Sequence, residues 1–415
     1  MVTAASSSPV TVADNKASVL PMQLSRLVSV DVLRGLVMVL MALDHTRDFL
    51  TYVRTPPEDL AHTYGMLFFT RVITHYCAPV FAFLAGTGAF LSTRRGKSLS
   101  QVSRFFLTRG LWLVLLELTV IDFAWGFVPW AQAGVIWMLG WSMVTMALIV
   151  RLPVRWIAAL GLGMIATHNL LDRINPASFG SFYWVWELLH SPGRIQIAHF
   201  SFTVRYPLIP WAGVMATGFA FGKLLLQPDR RKWILTLGIS ATALFFVLRG
   251  INLYGNGMAG LTFGYPRSAG PWSTYPTLSL TLISFFNTLK YPPSLDYLLM
   301  TLGPSLILLG LLDGATAVRG LDRILLVYGR VPLFYYVLHL YLLNSMARLI
   351  SLAFHQPIFY GTVIADFAQR PFGYGHGLPF IYAMWILAVA ILYLPCRWFM
   401  ELRSRHRDWT WLSYL

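Results

Sequence analysis

Long apolar stretches recur along this chain, and shorter polar segments separate them. A stretch of about 20 apolar residues is long enough to cross a bilayer as an α-helix. We therefore expect an all-α fold, a polytopic helical bundle in a membrane with about 10 transmembrane helices. The predicted helices cover residues 32–50, 66–91, 109–126, 134–150, 156–170, 206–226, 233–250, 294–312, 331–353 and 377–396.

The composition agrees with a membrane location. Of the 415 residues, 56% are hydrophobic and only 12% are charged, which is typical of an integral membrane protein. We expect a disordered cytoplasmic tail over 1–25, one transmembrane domain over 26–396 and a cytoplasmic C-terminal tail over 397–415. The two cysteines, Cys77 and Cys396, fall near opposite ends of the predicted bundle and are not expected to form a disulfide.

Basic residues indicate how the bundle is oriented. The net charge of +15 does not indicate a nucleic-acid partner, because the basic residues are spread between membrane spans. With the N-terminus inside, roughly two thirds of the Lys and Arg residues fall on the inner side, which places both termini in the cytoplasm. The segment from Ser92 to Thr108 contains Arg94, Arg95 and Lys97 and is predicted to be cytoplasmic as well.

The first predicted helix carries ionisable residues at both ends. Asp31 and Arg34 lie at its start, and Asp44, His45 and Asp48 lie about 20 Å further along the helix axis. Ionisable groups within a membrane are costly and usually mark a pathway or a reaction centre. We predict that His45 is a general base oriented by Asp44 or Asp48. The alternative is that these residues only cap the helix end at the interface.

Two other helices carry histidines at matching depth. Arg71 and His75 lie four residues apart in the second span, which runs opposite to the first, so Asp44, His45 and His75 are expected to converge in the outer half. His339 falls near mid-membrane in the ninth span, where it either joins this site or is a hydrogen-bonded packing residue.

No known soluble catalytic signature occurs in the chain, and no ligand spacing supports a metal site, so we expect no metal. Glu117 and Asp122 in the third span are expected to pair with Arg or Tyr on a neighbouring helix. Gly86 and Gly88, in a run of small residues in the second span, are expected to serve close helix packing.

The pattern Ser29-x-Asp31-x-x-Arg34-Gly35, followed by Asp44-His45, resembles the opening of a known membrane family. It is similar to the heparan-α-glucosaminide N-acetyltransferase catalytic-domain family, including bacterial members of unknown function. Similarity continues through residues 78–87, 206–215, 290–295 and 329–339, and it covers most of 26–396.

The resemblance implies an acetyl-CoA donor and an acceptor beyond the membrane. In the lysosomal member, the acceptor is a terminal glucosamine amine, and an essential histidine follows the first catalytic-domain span. A polar Asn of that family matches Asp44 here, while the essential histidine has no secure match. His45, His62 and His75 therefore all remain candidates for the base.

We expect an integral-membrane acyltransferase that moves an acyl group, taken to be acetyl, from cytoplasmic acyl-CoA to a saccharide or glycan amine or hydroxyl outside. Arg71 or Tyr206 would stabilise the oxyanion. Arg34, Arg104 and Arg109 would bind the CoA phosphates, or would only set topology. The residues expected to bind the acceptor substrate are His62, Tyr206, Lys290 and His339.

The alternative is a transporter or flippase that uses the same His and Asp residues as a proton relay. A thiol-sized tunnel from the cytoplasmic face to His45 would favour the enzyme. The expected partners are membrane lipid, acyl-CoA and the glycan acceptor, with a homodimer left open. The bacterial relatives imply the inner membrane.

Overall fold

The structure is a computed structural model that describes residues 27–93, 98–128, 131–197, 200–258, 261–262, 265–266, 270–313, 320–359, 369–406 and 408–414. The predicted N-terminal tail over 1–25 lies outside the described residues. So do Arg94, Arg95 and Lys97 of the basic segment.

Helices dominate the described chain, and apolar runs between Gly, Pro and polar residues account for most of their boundaries. They are α1 Val28–Leu50, α2 Gly65–His75, α3 Cys77–Thr93, α4 Leu99–Leu116, α5 Asp122–Gly126, α6 Val135–Ile149, α7 Val154–Thr167, α8 Tyr183–Leu189, α9 Leu208–Leu224, α10 Arg230–Ile251, α11 Leu278–Phe286, α12 Leu295–Asp313, α13 Leu321–Arg330, α14 Pro332–Ala353 and α15 Leu378–Arg405.

Short strands occur only in connections within the described chain. β3 (Phe200–Val204) pairs antiparallel with β2 (Gly193–Ile197) and parallel with β1 (Gln132–Ala133). β4 (Leu261–Thr262) pairs antiparallel with β5 (Tyr265–Pro266). A π-helical turn, Glu117–Ile121, joins α4 to α5, and a 3-10 helix, His168–Arg173, continues α7.

The bundle has two ends, named here after residues of α1. At the Arg34 end, Asp313 of α12 accepts hydrogen bonds from Ser29 (3.1 Å) and Arg230 (2.8 Å). At the Asp48 end, Thr51 forms a β-bridge with His376. The long connections, including the strands, lie at the Asp48 end.

The prediction of a mostly helical membrane protein is confirmed. Helices occupy all ten predicted spans, and six of the helical segments in the described chain are long and apolar enough to cross a membrane. α1 is long enough but carries five Asp and Arg residues, and α6 and α9 are shorter. The count of ten therefore stays a prediction.

The core is built around α1. This helix packs against α2, α3, α12, α13, α14 and α15, and most of its residues are buried, including Asp31, Asp44 and Asp48. By contrast, α10 and α15 bury few of their residues, as expected for helices that face lipid. Helix α1, with its Asp and Arg residues, thus lies in the centre of the bundle and is enclosed by more apolar helices.

Glycines allow the central helices to approach closely. A Cβ on Gly35 would lie 1.8 Å from the Leu325 carbonyl oxygen, and one on Gly329 would lie 1.8 Å from that of Asp31, so α1 and α13 meet backbone to backbone. Gly86 of α3 meets Met215 of α9 in the same way. This confirms the expected packing role of Gly86.

We expect Gly35→Ala to lower the free energy of unfolding by about 1–3 kcal/mol, because the added methyl group clashes with backbone that cannot move aside. Thermal unfolding of the detergent-purified variant measures this. Gly163→Ala in α7 is the matched control, since nothing lies within 4 Å of the added Cβ. An unfolding temperature equal to wild type for Gly35→Ala would contradict the close α1–α13 contact.

Candidate active site

Two faces of α1 carry different chemistry. Asp44, Arg47 and Asp48 recur at helical spacing and share one face, whereas Met38, Met41 and His45 share another. The first face meets α2 and the loop before it. The second faces α14 and an internal cavity.

The first face forms a network of buried ion pairs. Both carboxylate oxygens of Asp44 accept hydrogen bonds from Arg71 Nη1, at 2.8 and 2.7 Å. Asp44 also accepts hydrogen bonds from Arg47 (2.6 Å) and from the Thr74 hydroxyl (2.8 Å). Arg47 also donates to Asp48 at 2.8 Å. Each carboxylate therefore has a cationic partner, which offsets the cost of burying its charge.

Glu58, in the loop between α1 and α2, extends this network. Its Oε1 accepts a hydrogen bond of 2.6 Å from Arg71 Nε and lies 3.5 Å from His75 Nε2. Burial is the largest single influence on the pKa of Glu58 and would raise it, but the positive charge of Arg71 and the contacts with Arg71 and His75 together outweigh burial and hold that pKa well below its usual range. Glu58 therefore stays ionised and joins Arg71 to His75.

His45 points away from this network, towards α14. Its Nδ1 lies 2.6 Å from Nε2 of His339, and the two rings stack with centroids 4.9 Å apart. This corrects the prediction that Asp44 or Asp48 orients the imidazole, because Arg47 and Arg71 take up those carboxylates. Asp44 and His75 are linked through Arg71 and Glu58, while His45 pairs with His339 instead.

Hydrogen-bond geometry assigns the protons of the histidine pair. His339 Nδ1 lies 3.2 Å from the Tyr335 carbonyl oxygen, which can only accept, so this nitrogen carries the proton. Neutral His339 then accepts at Nε2, and His45 must donate from Nδ1. The lone pair of His45 is left on Nε2, which is the arrangement a general base requires.

Aromatic rings enclose the pair. Trp125 packs edge-on to His45 at 4.8 Å between centroids, and Tyr336 packs edge-on to His339 at 5.3 Å. His339 is fully buried, but His45 is only half-buried. Of the two imidazoles, His45 is therefore the one that a small molecule within the bundle reaches.

A cavity of about 640 Å³ leads from the Arg34 end towards this pair. Arg34, Arg109, Arg330 and Arg403 line it at that end, and apolar side chains line it further in. It extends to Met41 and Tyr336, which lie one helical turn from His45 and His339 respectively. The inner wall includes Met38, Leu84, Ile136, Leu139 and Met143.

The predicted CoA-binding arginines are divided. Arg34 and Arg109 line the cavity, whereas Arg104 is exposed and does not. Gly88 also lines the cavity. A Cβ added to it would meet only Arg34 Nη2, at 3.9 Å, so this glycine leaves space in the cavity and does not have the close-packing role expected of it.

The predicted acceptor-binding residues do not form one cluster. His62 is exposed and contacts Asp59 at 2.7 Å. The Tyr206 hydroxyl lies 3.4 Å from that of Tyr291, and the buried Lys290 ammonium lies 5.3 Å from the centre of the Tyr291 ring. His339 belongs to the histidine pair.

Glu117 and Asp122 have structural partners that differ from the prediction. Glu117 Oε2 accepts from the backbone amides of Ile136 (3.0 Å) and Trp137 (3.3 Å) at the start of α6. Asp122 accepts from the Gln132 amide at 2.9 Å. Backbone donors at a helix start attract carboxylates, so Glu117 holds the start of α6, while Asp122 holds β1 just before it; the hydrogen bonds of both acids go to backbone amides rather than to Arg or Tyr.

Sequence reasoning missed Glu58, Trp125, Tyr336, Arg330 and Arg403. Glu58 and Trp125 lie outside regular long helices, where periodicity gives no guidance. Tyr336 and Arg330 fall in the segment 329–339 that carries the family resemblance, and this was the signal available for them.

Comparison with known proteins identifies the family of the chain. Residues 26–254, more than half of the chain, match the family described as heparan-alpha-glucosaminide N-acetyltransferase, catalytic. The chain belongs to this family. Membership identifies it as a membrane protein of an acyltransferase family. The match covers α1 to α10 and ends before Lys290, Tyr336 and His339. A search of curated protein sequences finds no match.

We expect Arg71→Met to lower the free energy of unfolding by about 3–5 kcal/mol, because it leaves Asp44 and Glu58 buried without their shared cation. The midpoint of thermal unfolding in detergent measures this. Arg397→Met is the control: Arg397 also contacts a carboxylate, Glu401 at 3.0 Å, but on the exposed surface of α15. Equal effects of both substitutions would show that the buried network contributes no special stability.

Proposed function

We propose that this protein transfers an acetyl group from acetyl-CoA, bound from the cytoplasmic side, to a saccharide amine or hydroxyl at the opposite face. One observation carries the proposal: an arginine-lined cavity leads to within one helical turn of a histidine that has a lone pair available on Nε2. Family membership supports the reaction class.

The cavity fits the chemistry of an acyl-CoA. Guanidinium groups of Arg34, Arg109, Arg330 and Arg403 form the charge-assisted hydrogen bonds that phosphates require. Methionine and leucine side chains further in suit the flexible pantetheine arm. From Arg34 to His45 the distance along α1 is about 16 Å, so a thioester can be delivered into the bundle while the phosphates stay at its end.

His45 acts as the general base in this proposal. Its Nε2 takes a proton from the acceptor amine or hydroxyl as the acceptor attacks the thioester carbonyl carbon. When the tetrahedral intermediate collapses, the carbon–sulfur bond breaks, and the same imidazole returns the proton to the CoA thiolate. His339 keeps His45 in the required tautomer, as an orienting residue does in a catalytic triad.

Lys290 is placed to stabilise the oxyanion. Arg71, the residue expected for this role, is engaged by two carboxylates. Lys290 is buried and close enough to interact electrostatically with both Asp44 and His45. A fixed positive charge in this dry region favours a developing oxyanion. The Tyr206–Tyr291 pair beside it would contact the acceptor.

The distribution of buried cations supports the orientation with both termini in the cytoplasm. The buried cations at the Asp48 end lie inside the protein. They therefore do not count among the charged loop residues that set the orientation of a membrane protein. At the Arg34 end, Arg104, Arg231 and Lys232 are exposed, whereas the arginines that line the cavity are partly buried. We place the Arg34 end inside, in the inner membrane of a bacterium. Among described residues, the buried cations are Arg47, Arg71, Arg205, Arg249, Lys290 and Arg370.

We expect His45→Ala to lower the rate of acetyl transfer by about 10²- to 10⁴-fold, because the acceptor loses its base, and to leave acetyl-CoA binding largely intact. Purified protein incubated with radiolabelled acetyl-CoA and a panel of amino sugars and lipid-linked glycans measures both quantities. A transporter would form no acetylated product in the same assay.

His62→Ala and His75→Ala test the rival bases in parallel. Full transferase activity of His45→Ala, with loss of activity in either rival variant, would contradict the assignment of the base. His339→Gln is expected to lower the rate without changing the affinity for acetyl-CoA.

We expect Arg109→Gln to weaken acetyl-CoA binding by about tenfold or more, since a charge-assisted hydrogen bond contributes about 1.5–3 kcal/mol. Arg104→Gln is the matched control, because Arg104 lies on the same helix but on its exposed side. Isothermal titration with CoA compares the two variants. A larger effect of Arg104→Gln would place the donor outside the cavity.

A further inference from the structure

A second group of ionisable side chains lies at the Asp48 end, where α7 ends and α8 ends. His168 and Asp172 belong to the 3-10 helix that continues α7, and His190 follows α8. One ligand atom from each of the three residues lies within 4.8 Å of the other two. None of them belongs to the histidine pair or lines the cavity.

Burial makes this group unusual. His168 is 1% exposed and His190 is 2% exposed. His190 Nε2 lies 2.9 Å from Asp172 Oδ1, but within the described chain neither ring nitrogen of His168 has a hydrogen-bond partner, nor does His190 Nδ1. Buried polar atoms in native proteins are normally satisfied. With the Pro293 backbone beside the His168 ring, a second nitrogen of His168 and Nδ1 of His190 are available to bind an ion next to the Asp172 carboxylate.

Neighbouring residues hold the three side chains in position, as the residues around a metal site hold its ligands. Asn169 donates to Asp172 Oδ2 at 2.9 Å and accepts from the Leu295 amide at 2.9 Å, which fixes the carboxylate against the start of α12. The Pro293 backbone faces the His168 ring. The Trp186 ring packs 5.3 Å from His190 and adds an apolar wall. Such carboxylate, carbonyl and apolar contacts are typical around metal-binding histidines.

We propose that His168, Asp172 and His190 bind one divalent transition-metal ion of the zinc class. Two imidazole nitrogens and one carboxylate oxygen are ligands that zinc prefers, with water as the fourth, whereas magnesium and calcium require mainly oxygen ligands. Ligand atoms around zinc are about 3.4 Å apart for bonds near 2.1 Å, so closing the group needs only small side-chain movements.

The ion would connect three parts of the Asp48 end. It joins the end of α7 to the end of α8, and Asn169 links both to the first residue of α12. The turn before α12 carries Lys290 and Tyr291. Metal binding would thus stabilise the loops at the Asp48 end. This structural role does not depend on the proposed transferase reaction.

The test uses the full-length protein purified in detergent without chelators. We expect inductively coupled plasma mass spectrometry to find about one zinc ion per chain. Removal by chelator is expected to lower the unfolding temperature, and zinc to restore it. Titration of the stripped protein with Co²⁺ is expected to give the visible absorption bands of a four-coordinate site.

Asp172→Asn and His168→Gln, which keep the side-chain volume, are expected to weaken zinc binding by more than about tenfold. His62→Ala is the matched control, because His62 contacts Asp59 at 2.7 Å but belongs to no group of three possible metal ligands in the described part of the chain. Thermal unfolding of each variant without metal verifies that it is folded. Wild-type protein that binds no zinc or cobalt would overturn the proposal, and so would zinc binding that all the variants retain.

Discussion

The contact of Arg71 with Asp44 is the interaction on which the rest of the structure depends. It places a guanidinium of α2 against a carboxylate of α1 inside the bundle, and through Glu58 it also fixes the loop that joins the two helices. Neither charge is tolerable alone at this depth, so the pair determines how α1 is rotated about its axis. Apolar packing by itself would leave that rotation loosely specified.

Once α1 is rotated in this way, its other face is directed at α14. His45 then meets His339, and the methionines on the same face line a cavity whose charged residues lie at the Arg34 end. The chemistry is thus divided between two sides of one helix: charges that hold the structure on one side, and neutral imidazoles next to open space on the other. The glycine contacts between α1 and α13 hold these two helices backbone to backbone.

The helices were predictable because apolar runs long enough to span a bilayer leave little choice of structure. The proximity of Asp44, Arg71 and His75 was also predictable, since depth along antiparallel helices follows from residue count. The partner of His45 was not, because rotation about the helix axis depends on which distant helix packs there. Glu58 lies in a loop, and His190 approaches His168 and Asp172 from a separate segment after α8, so spacing in sequence carries no information on these distances.

The backbone carbonyl behind His339 has a further consequence for a protein that spans a membrane. A chain of histidines can conduct protons, but an amide oxygen accepts a hydrogen bond without passing a proton onward. The pair at His45 is therefore a dead end for charge in the direction of His339: a proton taken up at Nε2 of His45 during a reaction can leave only through that same nitrogen. The protein can keep a titratable centre in the membrane without short-circuiting that membrane.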